Sequence, residues 1–237
     1  MAYVYDVDLE FLAQCTNEDL QPLVDILTKD KDGKKRYTEG LTSSRVYKVF
    51  YPDHNLYWKE IAEEIQKFGA NTIATLFRLG KGVSYKTILI EVCEKMKVNF
   101  NKESSTELIE KHLLDKVLTS AIEELSEDDL KKLAEELKIP ATHLGKQSLT
   151  ALVLVELNSL LSTPALWKTI HTMFPQTIGT LLAGTALGRI LGFATGPIGW
   201  GITGIWALKD ISGPATRVTV PAVIQIAFLR KKYSINN

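Results

Sequence analysis

Apolar residues recur along the first 140 positions at helical spacing, in blocks opened by polar caps. Leu20, Leu23, Val24 and Leu27 stand at i, i+3, i+4 and i+7 behind Thr16-Asn17-Glu18-Asp19. A hydroxyl followed three residues later by an acid frees itself to accept an orphan backbone N–H, so this pattern predicts a helix start. Pro22 falls in the first turn or so, where a missing N–H costs little. Ser126-Glu127-Asp128-Asp129 repeats the device ahead of Leu130, Leu133, Ala134 and Leu137. The two blocks read as convergence on a generic capped helix. Trp58, Ile61, Ile65 and Phe68 form another stripe, which Gly69 is expected to stop. Ser84–Lys97 carries Ile88, Leu89, Val92, Cys93 and Met96. Ser104-Ser105-Thr106-Glu107 opens a segment with Ile109, Leu113, Val117 and Leu125 on one side, and Pro140 is expected to end the helix that Ser126 begins. No stretch alternates at period two for long, and βαβ order is absent. The fold class predicted is all-α.

The C-terminal part has a different texture. Gly184, Gly188, Gly192 and Gly196 fall at four-residue intervals, so a helix would line them along one face. Each costs up to about 1 kcal/mol against alanine, which implies that another backbone packs where a Cβ would clash. Pro197 and Gly199 then signal a turn, and Gly201 and Gly204 with Trp200 and Trp206 supply a returning arm. The expectation is a tight apolar helical hairpin. Beyond Gly213-Pro214, Thr219 is expected to cap a helix with Pro221 in its first turn. Val223, Ile224, Ile226, Ala227 and Phe228 are apolar nearly all round, which implies deep burial. Arg230, Lys231 and Lys232 suit the C-terminal end of the dipole. The β-branched content leaves a short strand at Arg217–Val220 open.

Charge sharpens this division. Lys+Arg and Asp+Glu are equal at 28 each, which removes the electrostatic case for a nucleic-acid partner. The balance hides a split: residues 151–237 hold 7 basic and 2 acidic side chains, a net of +5, leaving 21 and 26, a net of −5, in residues 1–150. The composition shift predicts a charged helical unit over 1–140 and an apolar glycine-rich unit over 150–237, with the boundary near Pro140–Leu149. Residues 190–208 are nineteen uncharged positions, near the lower length of a membrane span, but Pro197 divides them. Arg189 would cost about 2.5–3.5 kcal/mol near a bilayer centre. The buried hairpin is the favoured expectation. A hairpin that enters a bilayer, with Trp200, Trp206 and the Arg230–Lys232 cluster as interface anchors, is the alternative. The N-terminus has neither a basic nor an apolar signal region, and there are only two cysteines. Both suggest the cytoplasm, with placement at the inner-membrane surface as the variant.

Candidate chemistry is sparse. Thr28–Gly33 with Glu39 fits part of a calcium-binding loop, but Thr28 occupies the first ligand position and Lys34, Lys35 and Arg36 would repel the ion. A solvated DG turn is the expected reading. Gly80-Lys81-Gly82 lacks the spacing of a phosphate loop. His54, His112, His143 and His171 do not pair at metal spacing. Asp53–His54 could form an acid–base couple, but Asp53 is expected to cap a helix and leave His54 exposed. Cys93 lies on an apolar face. No metal, cofactor or catalytic set is therefore expected, and the chain reads as a non-enzyme.

Three blocks carry a resemblance. DLEFLAQCTNEDLQPLVDILTKDKDGK, the run LTSSRVYKVFYPDHNLYWKEIAEEIQKFGANTIATLFRLGKGVSYKTILIEVCEKMKV, and the tail GPIGWGITGIWALKDISGPATRVTVPAVIQIAFLRKK resemble the bacterial YaaW family, an uncharacterised group. Members are sometimes labelled as similar to ubiquinol–cytochrome c chaperones through the middle region. The resemblance implies an all-α protein-binding module and supplies no catalytic residues. The functional expectation is a helical interaction or chaperone-like protein that holds another, unidentified protein in a groove between helices. Trp58, Arg78, Lys81 and Tyr85 are the candidates for an exposed partner or anion surface. The alternative is a membrane-associated protein whose glycine-rich hairpin inserts into or permeabilises a bilayer.

Overall fold

The computed structural model describes residues 3–30, 33–72, 83–123, 125–140, 144–161, 213 and 215–234. The glycine ladder at Gly184, Gly188, Gly192 and Gly196 lies outside them, as do Arg78 and Lys81. Eight α-helices are described: α1 Asn17–Thr28, α2 Arg45–Phe50, α3 Trp58–Thr72, α4 Tyr85–Lys95, α5 Thr106–Glu123, α6 Glu127–Glu136, α7 Lys146–Leu161 and α8 Thr216–Ser234. Short 3-10 segments at Val7–Gln14, Leu41–Ser43 and His54–Tyr57 link them. No strand occurs among the described residues beyond one isolated bridge, Lys29 to Lys35. The protein is all-α.

The caps expected at Thr16 and Ser126 are present, and Ser84 supplies another. Thr16 Oγ1 accepts the Asp19 N–H at 3.3 Å, Ser84 Oγ that of Thr87 at 3.4 Å, and Ser126 Oγ that of Asp129 at 3.1 Å. Each satisfies one donor the helix cannot satisfy itself. The far ends of α4 and α6 use a device the sequence hid. Val98 N bonds Cys93 O at 2.9 Å and Ile139 N bonds Ala134 O at 2.8 Å, the wide loops of Schellman caps. Both place a lysine in the left-handed region, Lys97 at φ 56° and Lys138 at φ 58°. Thus α6 has ended before Pro140. A Cβ is strained there, so Lys138→Gly is expected to stabilise the protein by about 0.5–1 kcal/mol, read as a higher urea midpoint with an unchanged slope.

Gly69 does not stop α3, which runs three residues further. A Cβ at Gly69 would lie 2.4 Å from Cδ1 and 2.5 Å from Cγ1 of Ile88, a core side chain of α4. The glycine exists to let α3 and α4 approach. Alanine gains helix propensity of up to about 1 kcal/mol. Overpacking costs about 1–3 kcal/mol and dominates for a larger side chain. Gly69→Val is therefore expected to lower stability by about 2–3 kcal/mol in the same measurement.

The chain divides into two compact units, Met1–Leu113 with Leu208–Tyr233, and Leu114–Ala207 with Ser234–Asn237. This differs from the linear split at residues 140–150. In the second unit α6 and α7 pack on each other. In the first unit the N-terminal helices and α8 share a core. Leu9, Leu12, Leu20, Leu23, Leu27, Ile61, Ile65, Ile88 and Leu89 are inaccessible or nearly so, and α8 contributes Val220, Val223, Ile224 and Ile226. Residues Arg217–Val220 are helical, and α8 begins before Thr219, whose hydroxyl is buried without a partner. Most of α8, from Val218 to Leu229, is buried. No helix of the described residues is long and apolar enough to cross a membrane.

Candidate interaction surface

Two buried polar networks fasten the chain's ends together and fix the surface of the first unit. In the larger one, Arg230 of α8 donates from Nε to Glu110 Oε2 of α5 at 2.7 Å and from its other arm to the Asp8 carbonyl. Its guanidinium lies 4.4 Å from the Phe11 ring centre. Tyr85 donates its hydroxyl to the other Glu110 oxygen at 2.6 Å, and its backbone N–H to Asp6 Oδ2 at 2.6 Å. Burial pushes the Glu110 carboxyl up to about 7, against the lowering pull of Arg230 and the Tyr85 hydroxyl. In the smaller network, Asp19 of α1 accepts Lys232 Nζ at 2.5 Å and the Tyr233 hydroxyl at 2.6 Å. Tyr233 in turn accepts the Thr16 N–H at 2.9 Å.

These contacts correct two expectations. Arg230 and Lys232 are internal partners of acids; they are not a solvated basic end for a helix dipole or a bilayer. Tyr85 is fully buried and belongs to no exposed surface. Its ring fills the core because Ser84, not Tyr85, supplies the cap that starts α4. Trp58 is half-buried, with the Tyr3 ring edge-on at 5.7 Å and Lys59 Nζ 5.6 Å from its ring centre.

The His54 site also differs from expectation. Asp53 makes no cap bond and instead accepts Asn17 Nδ2 at 3.2 Å. The 3-10 turn at His54–Tyr57 rotates His54 inward, where it is buried. Lys29 pairs with Asp25 at 2.7 Å, and Gln21 Nε2 donates to Asp25 at 3.0 Å. That fixes the Gln21 amide, so its oxygen must accept from His54 Nε2 at 2.8 Å. The imidazole then carries its proton on Nε2, and Nδ1 accepts the Tyr57 hydroxyl. Burial lowers the His54 pKa, with Asp25, Asp53 and Glu18 opposing. A histidine kept neutral in the fold contributes stability that is present above its unfolded value near 6.5 and lost as pH falls below it. The raised Glu110 works the other way, gaining stability as pH falls from about 7. The difference between wild type and His54→Gln isolates the imidazole: unfolding midpoints are expected to converge from pH 7.5 to 5.5, in steps of about 0.5, because wild type alone loses the imidazole's contribution.

Both thiols are buried, and burial pushes Cys15 and Cys93 up to about 12, so neither supplies a thiolate near neutral pH. Gly33 at φ 75° closes a turn in which Lys34 N donates to Asp30 Oδ1 at 2.9 Å. Glu39 is buried and accepts the Thr42 N–H at 2.8 Å. No cluster of three or more ligating side chains occurs among the described residues.

What the described surface offers is exposed apolar side chains on short helical elements. In the second unit, α7 carries apolar side chains on more than one face. Leu149, Val153 and Leu157 stand four residues apart and are buried, while Leu152 is 44% and Val155 67% exposed on another face. In the first unit, α2 half-buries Val46 and Tyr47 and leaves Val49 and Phe50 exposed. Sequence periodicity could not separate the two faces of α7, since both carry leucine and valine.

A family model described as a domain of unknown function (DUF3944) matches residues 3–37, the segment holding α1, Asp6, Asp8 and Asp19. A UPF0174 protein of Helicobacter pylori J99 is 45% identical over 98% of this chain and 94% of its own length. Another, from Helicobacter pylori 26695, is 40% identical over 82% of this chain and 97% of its length. The UPF0174 protein YaaW of Escherichia coli K12 is 33% identical over 98% and 97%. No solved structure matches.

Proposed function

Taking as premise that this chain belongs to the UPF0174 family, which includes YaaW, we propose that it is a non-enzymatic helical interaction protein of bacteria, chaperone-like in holding a segment of another protein. The observation that supports this reading is the second apolar face of α7. A surface helix ordinarily buries one stripe and solvates the other. Here the core stripe of Leu149, Val153 and Leu157 is already satisfied, and Leu152 and Val155 remain in water at the next helical spacing. An exposed stripe of that kind suits an apolar partner helix, read as anchors one turn apart. The two networks at the chain's ends hold their polar groups in internal bonds. The cytoplasm is the compartment this reading expects.

A photo-crosslinking residue in place of Val155, installed in living cells, tests the reading. The expected result is one discrete adduct, identified as the same protein in repeated preparations and lost when Leu152→Asp is added. Adducts that match background in both chains would overturn it. The bilayer-inserting hairpin built on Gly184, Gly188, Gly192 and Gly196 lies outside the described residues.

A further inference from the structure

The segment from Arg45 to Lys59 is built differently from the rest of the first unit. It comprises α2, Pro52 and the 3-10 turn at His54–Tyr57, and the two helical pieces pack on each other. Its inner side is tied down. Tyr47 packs against Tyr57 with ring centres 5.3 Å apart, and His54 bonds across to Gln21 of α1 at 2.8 Å. Asn55 N donates to Asn17 Oδ1 at 3.1 Å. Its outer side is apolar: Val49 is 65%, Tyr51 54% and Leu56 56% exposed. The helix half-buries Val46 and Tyr47 and leaves Val49 and Phe50 exposed, so its outer apolar groups add nothing to the core.

Charge says what covers it. Arg45, Lys48 and Val49 share one helical face by spacing, and the segment holds three cations, Arg45, Lys48 and Lys59, against a single acid, Asp53. Asp53 is occupied by Asn17. Arg45 and Lys48 are exposed and have no ion-pair partner among the described residues. This local excess of positive charge lies in a half of the chain whose net charge is −5. Short aliphatic side chains flanked by tyrosine, a half-buried tryptophan and unpaired cations match the composition of a surface that lies in a bilayer interface: the aliphatic groups enter the acyl boundary, the aromatic rings sit at headgroup depth, and the cations meet anionic headgroups. The surface continues beyond Trp58, because the Tyr3 ring rests on it and Val4 is clamped to Gln66 by two hydrogen bonds of 3.0 and 2.8 Å.

We infer that the face formed by Arg45, Lys48, Val49, Tyr51, Leu56 and Lys59 docks reversibly on a bilayer surface containing anionic phospholipid. Docking is in-plane and shallow, and it requires no crossing of the membrane by this face. Each cation near an anionic surface contributes about fivefold to partitioning, an effect that salt screens.

The experiment is flotation of the full-length protein with phosphatidylcholine vesicles, with and without phosphatidylglycerol. The wild type is expected to float with the phosphatidylglycerol vesicles at low salt and to dissociate at high salt. Arg45→Gln with Lys48→Gln is expected to reduce the partition coefficient about thirtyfold, two such cations together. Val49→Ser with Leu56→Ser is expected to reduce it without altering the salt dependence. A fluorophore on Leu56→Cys, the native thiols being buried, is expected to shift to the blue on binding, whereas the same label on Val155→Cys is not. Absence of binding by the wild type overturns the inference, as does equal binding by the Gln variant or a shift confined to the Val155 label. Occupation of the face by an acidic protein segment, with vesicles ignored, overturns it equally. Circular dichroism of each variant separates lost docking from lost fold.

Discussion

A chain ending at Gly213 is expected to lose the cooperative fold of its first unit, although all of residues 1–113 remain. The helix removed, α8, buries fourteen side chains, including Val218, Val220, Val223, Ile224, Ile226, Phe228 and Leu229. Burial of a large apolar side chain contributes about 1.5–3 kcal/mol, so these seven together amount to something on the order of 10 kcal/mol or more. Whole domains are stable by only about 5–15 kcal/mol. The truncation also strips Glu110 of Arg230 and Asp19 of Lys232, leaving acids without the cations that compensate them. Urea unfolding followed by circular dichroism and by near-ultraviolet signals is the check. A single sharp transition at an unchanged midpoint would contradict the expectation.

Arg230→Met is expected to be the most damaging single substitution on this polar framework, at about 3–5 kcal/mol. Arg230 is held by Glu110 and by the Asp8 carbonyl, and it lies over Phe11. Methionine keeps much of the stem's packing and removes the charge, leaving a buried carboxylate. Glu110 already titrates high, at about 7, and loss of its cation raises it further. The cost is therefore expected to be greater at pH 9, where Glu110 must be charged, than at pH 6, where it accepts a proton. Adding Glu110→Gln should recover a large part of the loss at pH 9, since the amide needs no cation and can still accept the Tyr85 hydroxyl. A loss below about 1 kcal/mol at both pH values, the range of an exposed pair, would contradict the arrangement.

Much of the helical fold was legible, because Thr16, Ser84 and Ser126 make local bonds whose partners lie three residues away. Gly69 was misread for the opposite reason. A glycine after an apolar stripe looks like a stop, and only the proximity of Ile88, nineteen positions on, shows it to be a point of close approach. Lys97 and Lys138 hid the helix ends, since the left-handed cap there is filled by lysine where glycine is the usual signal. By sequence Arg230 and Lys232 suit a helix dipole or a bilayer interface, because cations at a helix C-terminus usually do. Two signals in the sequence pointed the other way. A helix apolar all round leaves no solvated face for its charges, and the charge imbalance of −5 against +5 between the two parts of the chain is what a pairing of distant acids and cations produces. His54 and Tyr85 were out of reach, because their inward orientation depends on Gln21 and Glu110, which no local pattern connects to them.

α8 belongs to the same cooperative core as α1 and α4. Native-state hydrogen exchange tests this directly. The slowest amides of α8, around Val223–Ile226, are predicted to exchange with the same opening free energy and the same denaturant dependence as those of Leu23 in α1 and Leu89 in α4. Fast exchange throughout α8, while α1 and α4 stay protected, would contradict it.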